Sequence, residues 1–317
     1  MVAIVEPGGR WPQGVGHPVT RASRALARPA LALLLLLVSA GCAARGLDPA
    51  ASAADEAAYR DTLARSARLW QRAESLRAQD QAASVELFEL DEVAAAASPT
   101  RPLLKKRRRV LRAEAVARRT EAIVAYRALV DAPDLRDAPE RSRALFALAH
   151  SLQDAGKAEE ARNRYRQLLE EHPEAKATPE AYLELANLAY AEGDLDEAVW
   201  RCDGSLRRST KPSLRKRALY LKAWSLKGLG RKHHRAAMEA LRELVRMRPS
   251  DPRSLEAQLE DAAASELVTL YTDHGDPDEA ASFFAAAGPR GAKLLQEARA
   301  RGLGTGRRLE RLERKIY

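Results

Sequence analysis

Between Ser142 and Pro173 the apolar positions fall into two short stripes of helical period. Leu145, Leu148, Ala149 and Leu152 recur at i, i+3, i+4 and i+7, so they share one helix face. Ala155 and Gly156 close that helix, because glycine accepts the left-handed conformation of a helix end at little cost. Ala158, Ala161, Tyr165, Leu168 and Leu169 form the second stripe, which Pro173 ends. The small residues Ala149 and Ala161 predict two antiparallel helices in close approach, with Tyr165 filling the space beyond the contact. Helices this short cannot bury both faces alone, so the pattern predicts copies of itself on either side.

Such copies follow. In Pro179–Thr210 the pattern is carried by Tyr182, Leu185, Ala186, Ala189, Gly193 and Ala198. Thr178-Pro179 reads as an N-cap and first-turn proline, and Asp194 with Glu197 as a capping box for the second helix. In Lys216–Pro249, Leu219, Ala223 and Leu226 mark one helix and Ala237, Leu241 and Leu244 the next. Their registers differ by two residues, which predicts a longer turn at Arg231–His234. A weaker unit spans Asp261–Gly288, with Leu267, Val268, Tyr271, Gly275, Ala280 and Phe284 in place. Its first helix is predicted to start near Ser254, and Asp276–Glu279 to start its second. Gly288-Pro289 ends the array, Lys293–Ala300 suits a terminal covering helix, and Arg307–Tyr317 is a charged tail.

Upstream, Asp55 opens a helical pattern in which Leu63, Leu69, Trp70, Ala73 and Leu76 share a stripe. A second pattern, Ala83–Ala96, carries Val85, Leu87, Phe88, Leu90 and Val93, and Ser98-Pro99-Thr100 is a break. Arg101–Val130 reads as one long helix, in which Ala122, Tyr126 and Leu129 repeat the spacing of Ala161, Tyr165 and Leu168.

Leu145, Leu148, Ala149, Leu152, Gly156, Ala161, Tyr165 and Pro173 resemble the tetratricopeptide repeat, a unit of ~34 residues. Leu145, Leu152 and Leu168 stand where that family favours Trp, Tyr and Ala. The resemblance implies an all-α fold, a right-handed α-solenoid of helix pairs, here preceded by N-terminal helices. It implies partner binding in a concave groove and no catalysis. The groove is lined by the first helix of each pair, which places there Phe146, His150 and Gln153; Leu183, Asn187 and Tyr190; and Tyr220, Trp224 and Lys227. An aromatic groove with few polar groups suits an extended peptide or a helix of another protein. Where relatives grip a terminal carboxylate with Lys or Arg, this chain has Phe146, Leu183 and Tyr220, which argues against that mode.

The first 41 residues differ in character. Arg21, Arg24 and Arg28 precede an apolar run from Ala30 to Ala40, too short to span a bilayer, which takes ~20 residues. A basic flank, a short apolar core and small residues read as a secretory signal. Val38-Ser39-Ala40-Gly41-Cys42 resembles the lipobox of bacterial lipoproteins, with Ser39 in place of the commoner Leu. That resemblance implies cleavage before Cys42 and acylation of its sulfur and new amino group, palmitate included. Position 43 is Ala and not the Asp that favours inner-membrane retention, so the expected site is the periplasmic face of the outer membrane. Met1–Thr20 is Gly- and Pro-rich, and translation is expected to begin near Val15 or Val19. The expected organisation is a signal over 1–41, a lipid tether over 42–54, N-terminal helices over 55–135, repeats over 136–288, and a covering helix with tail over 289–317.

Composition adds limits. Aromatics make up 5% of the 317 residues and charged residues 31%, which suits long helices better than a β-sandwich. Part of the formal +9 lies in the leader. With Cys42 acylated, Cys202 has no disulfide partner, and it sits on an apolar helix side as a small filler. Lys105–Arg109 is a basic run that invites a nucleic-acid reading, but no interleaved aromatics offer stacking; it reads first as a solvated helix face and next as a contact for anionic lipid headgroups or an acidic protein partner. His233 and His234 lack an acidic or Cys partner at ligand spacing, so no metal is expected. No GxSxG, P-loop, HExxH or strand-linked GxGxxG motif occurs, and no cofactor is expected. The functional expectation is a non-catalytic scaffold that binds a protein partner in a cell-envelope complex. The alternatives are a cell-wall turnover enzyme with a helical fold, a cytoplasmic nucleic-acid-binding repeat protein, and self-association through end helices.

Overall fold

A computed structural model describes residues 49–96 and 102–303, side chains being described over 54–91 and 104–303. Cys42, the signal region, the Ser98–Thr100 break and the 307–317 tail lie outside the described residues. Within them the chain is all-α and holds no strand, and its helices pack in adjacent pairs, as tetratricopeptide-like solenoids do. The order is α1 (Pro49–Ala96), α2 (Pro102–Val130), α3 (Arg141–Asp154), α4 (Ala158–Glu171), α5 (Thr178–Glu192), α6 (Leu195–Arg208), α7 (Pro212–Gly228), α8 (His234–Arg246), α9 (Leu255–His274), α10 (Ala280–Ala285) and α11 (Gly291–Ala300). Short 3-10 turns cover Pro133–Leu135, Arg231–His233 and Gly288–Arg290. The described residues divide into two compact units, 49–161 and 162–303, with the division inside α4.

The N-terminal unit is built on the α1–α2 hairpin. Cross-helix pairs fix it as antiparallel: Arg107 meets Glu86, Arg119 meets Asp80, Tyr126 meets Glu74, and Arg65, below the end of α2, meets Asp134. Ala73, Leu111, Ala122, Tyr126 and Leu129 are buried at the seam. Arg119 is bidentate to Asp80 at 3.0 Å and also donates to the Asp154 carbonyl at 2.9 Å, which ties the end of α3 to the hairpin. Burial, then the Glu74 carboxylate, pushes the Tyr126 hydroxyl above its ordinary value.

Two expectations change here. One helix runs unbroken from Pro49 to Ala96, so helix begins inside the expected tether and the two upstream patterns are one element. Val85 and Phe88 are exposed, at 44% and 57%, because they point away from the side of α1 that α2 covers. Arg107 and Arg108 of the basic run pair with Glu86 and Asp91, while Lys105, Lys106 and Arg109 are exposed.

The α3 and α5 helices end alike. Gly156 and Gly193 take φ of +76° and +82°. In each case the glycine N–H bonds three residues back and the next N–H five back, Lys157 to the Leu152 carbonyl and Asp194 to the Ala189 carbonyl, both at 2.9 Å. This left-handed closure satisfies the last carbonyls and reverses the chain within two residues.

In the C-terminal unit, consecutive helices from α5 to α9 pack on one another, and α5 with α7 and α7 with α9 are also neighbours. The α7 helix explains this: its residues are apolar on two faces. Leu214, Ala218 and Leu221 join Leu183, Ala186 and Cys202 in one core, while Leu219, Ala223 and Leu226 join α8 and α9 in another. A helix covered on two sides must be interior to its row. The second core closes on Tyr271, Phe283 and Phe284, whose rings lie 4.5 to 5.5 Å apart, and on Leu294 and Ala298 of α11, the expected covering helix. Full burial of each such side chain is worth about 1.5–3 kcal/mol.

Local starts and turns differ in detail. Ser254 caps α9 by accepting from Ala257 N at 3.2 Å, at the expected start. The expected long turn at Arg231–His234 is a 3-10 turn leading into α8. Thr178 is not the cap of α5: it lies inside the helix, and its hydroxyl donates to the His172 carbonyl at 2.9 Å, holding α5 to the end of α4. The Asp194–Glu197 box is half formed. Asp194 Oδ1 accepts from Glu197 N at 3.1 Å, but the Asp194 N–H is used by the turn, and the Glu197 carboxylate accepts from Arg201 at 2.6 Å.

Candidate functional site

The nine residues assigned to a groove fall on the first helices of successive pairs. Phe146, His150 and Gln153 are half-buried on α3 in the N-terminal unit. The Phe146 and His150 rings are 6.3 Å apart, and His150 Nδ1 is 3.2 Å from Asp154 Oδ2.

The other six lie in the C-terminal unit, where α5, α7 and α9 stand side by side. Leu183, 1% exposed, and Tyr220, 4% exposed, are held in the two apolar cores. Asn187, Tyr190, Trp224 and Lys227 are half-buried. The Tyr220 and Trp224 rings meet edge to face at 6.2 Å, and Lys227 Nζ sits 4.5 Å above the Trp224 ring. Burial pushes the Tyr220 hydroxyl above its ordinary value; Trp224 beside it works against this, and the Glu266 carboxylate and Tyr190 add to it. The Trp224 indole nitrogen is itself buried without a hydrogen-bond partner among the described residues. Tyr220, Trp224 and Lys227 thus form one packed group on α7.

Two ion pairs join the helices across this face. Lys227 Nζ bonds Glu266 Oε1 at 2.6 Å, linking α7 to α9. Arg217 bonds Glu184 Oε1 at 3.0 Å, linking α7 to α5, and Asn187 donates to the other oxygen of Glu184 at 3.1 Å. Ala223, Trp224, Lys227, Leu241, Glu266 and Leu270 line a surface dip where α7, α8 and α9 meet, too shallow to enclose a water molecule. Spacing within one helix locates Trp224 and Lys227. It does not locate Glu266 or Arg217, whose place depends on which helix lies alongside. The available signal was the same spacing carried onward to α9, where it selects Ser265, Thr269 and Thr272.

The wall is thus apolar and aromatic with its charges already matched. A terminal carboxylate could reach Arg217 or Lys227 only by displacing Glu184 or Glu266. Among the described residues no group of three or more His, Cys, Asp or Glu is arranged to hold a metal ion. Cys202 is buried, and burial, then Asp203, pushes its thiol well above the ordinary value. A thiol held protonated in a core is a poor nucleophile.

The family model of the tetratricopeptide repeat matches residues 143–175, the α3–α4 pair. A tetratricopeptide repeat is present there. Repeats of this kind are typically non-catalytic protein-interaction modules, and no enzymatic family is indicated. No curated protein matches the chain. Within the C-terminal unit, α5 with α6 and α7 with α8 are likewise adjacent helices joined by short turns.

Proposed function

We propose that this protein is a lipid-anchored adaptor of a bacterial cell envelope. Acylated Cys42 fixes it to the periplasmic face of the outer membrane, and the inner wall of its repeats holds a segment of a protein partner. The observation that carries the binding role is the edge-to-face Tyr220–Trp224 pair, braced by Lys227 over the Trp224 ring and by its bond to Glu266. A half-buried tryptophan in a shallow apolar depression is the composition in which interface energy concentrates. Because the wall's cations are matched by its own carboxylates, the best guest is an apolar or aromatic stretch of peptide. The lipobox-like Val38–Cys42 sequence supports the anchor.

A photo-crosslinking residue placed at Trp224, in cells producing the full chain, is expected to yield a discrete adduct that the same residue at Trp200 does not. Identical adducts from both positions would refute the groove. Cys42→Ala is expected to move the protein from the membrane to the soluble fraction; retention on the membrane would refute the anchor.

A further inference from the structure

The α6 helix buries Ala198, Cys202 and Ser205 completely, and these define its inner side. On the opposite side Asp196, Trp200, Asp203 and Arg207 recur at i, i+4, i+7 and i+11 and form one outward stripe. Asp196 and Arg207 are exposed, and Trp200 between them keeps 50% of its exposure.

Trp200 is held in place. The Arg201 guanidinium lies 4.4 Å from its ring centre, the Tyr182 ring meets it edge-on at 6.3 Å, and the Glu197 carboxylate fixes Arg201 at 2.6 Å. A tryptophan already fixed loses little freedom when a partner covers it, and tryptophan is a residue in which interface energy concentrates. Among the described residues neither Asp196 nor Arg207 is in an ion pair. They stand ~16 Å apart along the helix, too far to reach each other. Both signs suit the dipole of α6 itself. The dipole does not account for the tryptophan exposed between them.

Turned end for end, the stripe is its own complement: Asp196 falls opposite Arg207, and Trp200 opposite Asp203. We propose that α6 pairs antiparallel with α6 of a second copy of this chain, about a two-fold axis between Trp200 and Asp203. Each Asp196 then meets Arg207 of the second copy. Each Trp200 packs beside the axis against Asp203 of the second copy, whose Oδ1 holds Lys222 at 2.6 Å and whose other oxygen can accept the indole N–H. A wholly acidic or wholly basic partner would face its own sign at one end of the stripe. A 14-residue helix is ~21 Å long, so a contact through one helix per copy falls short of the ~800 Å² per partner of stable complexes. The pairing is therefore weak, and a covalent trap suits it better than a column. It uses none of the groove residues and does not rest on the groove reading.

The test is made in cells producing two differently tagged full chains, each with an aromatic photo-crosslinking residue at Trp200. The expected product carries both tags. Arg207→Asp, which sets two carboxylates against each other at both ends of the pair, is expected to lower its yield at least about tenfold. Adding Asp196→Arg to the same chain reverses both ends and is expected to restore it. Unchanged helical circular dichroism of the purified variants shows that folding is not the cause. No product with both tags, or adducts with other proteins alone, would overturn the proposal. A yield that survives Arg207→Asp, or that Asp196→Arg fails to restore, would overturn the antiparallel register.

Discussion

Lys216 Nζ lies 2.7 Å from Glu260 Oε1, and each side chain retains 3% of its exposure. The pair is the centre of a buried network, which Arg290 reaches at 3.7 Å from Glu260 Oε2. Lys216 also donates to the Arg248 carbonyl and to Ser250 Oγ, both at 2.8 Å, and Glu260 accepts from Ser250 N at 2.9 Å. All three ammonium protons are used, and the loop between α8 and α9 is bound to α7 and α9 through one lysine. Burial would raise the Glu260 carboxyl, but bonds from Lys216 and Ser250 outweigh it and hold the carboxyl below its ordinary value.

Removing one partner leaves a buried charge without compensation. Lys216→Met is expected to destabilise the fold by about 3–5 kcal/mol in urea unfolding, and Lys216→Met with Glu260→Leu to recover most of that. The sign with pH follows from the lowered carboxyl. The unfolded chain takes up a proton at higher pH than the folded one, so this stability is complete above the ordinary carboxylate range. It is lost as pH falls through the folded value. Glu260→Gln is expected to flatten that acid limb of the urea midpoint.

That network also marks where the sequence stops being readable. Leu145, Leu148, Ala149 and Gly156 announce their helix and its end, because period and turn chemistry are local properties. Lys216 and Glu260 are 44 residues apart, and nothing local distinguishes this lysine from the exposed ones around it. Val85 and Phe88 fail for the same reason: period marks an apolar residue but not whether a neighbour arrives to cover it. Within the candidate site, Trp224 and Lys227 follow from spacing along α7, while Glu266 and Arg217 become visible only once α5 and α9 are known to flank that helix. The capping box failed through competition, since the Asp194 N–H had a better acceptor in the Ala189 carbonyl and the Glu197 carboxylate a better donor in Arg201.

Gly204 is required by its neighbour. A Cβ built there would lie 2.5 Å from Cδ1 of Tyr182, whose ring lies against α6 between Arg201 and Arg208. In an open helix Gly→Ala gains about 0.5–1 kcal/mol. Here the ring must leave, and Gly204→Ala is expected to destabilise by about 1–3 kcal/mol. Adding Tyr182→Ala should remove the clash and restore the ordinary gain, so the double variant should be no less stable than Tyr182→Ala alone.

Cys202 is fully buried among Leu183, Ala186 and Ala218. With its thiol held protonated well above neutral pH, it is expected to resist a thiol reagent in the native protein and to react only as the C-terminal unit opens. In a Cys42→Ala background the labelling rate should rise in step with urea-induced unfolding. Rapid labelling of the native protein would show that the α5–α7 core is open to solvent.

His234 and His274 place their rings 4.2 Å apart, joining the start of α8 to the end of α9. Burial lowers the His234 imidazole below its ordinary 6.5; the His274 ring, Arg231 and Lys227 lower it further, against a bond to the Lys227 backbone. The unfolded chain therefore binds this proton more readily than the folded one. Stability is full above pH 6.5, declines as pH falls below it, and levels once the folded imidazole is protonated. This window lies above that of Glu260, so the two limbs separate in a pH series. His234→Gln is expected to abolish the upper limb and leave the lower one, and His274→Ala to shrink the upper limb by removing one of the charges that His234 must face. Urea midpoints measured from about pH 8 down to about pH 2, well below the ordinary carboxylate value, check both. An upper limb that persists in His234→Gln would assign it to another group.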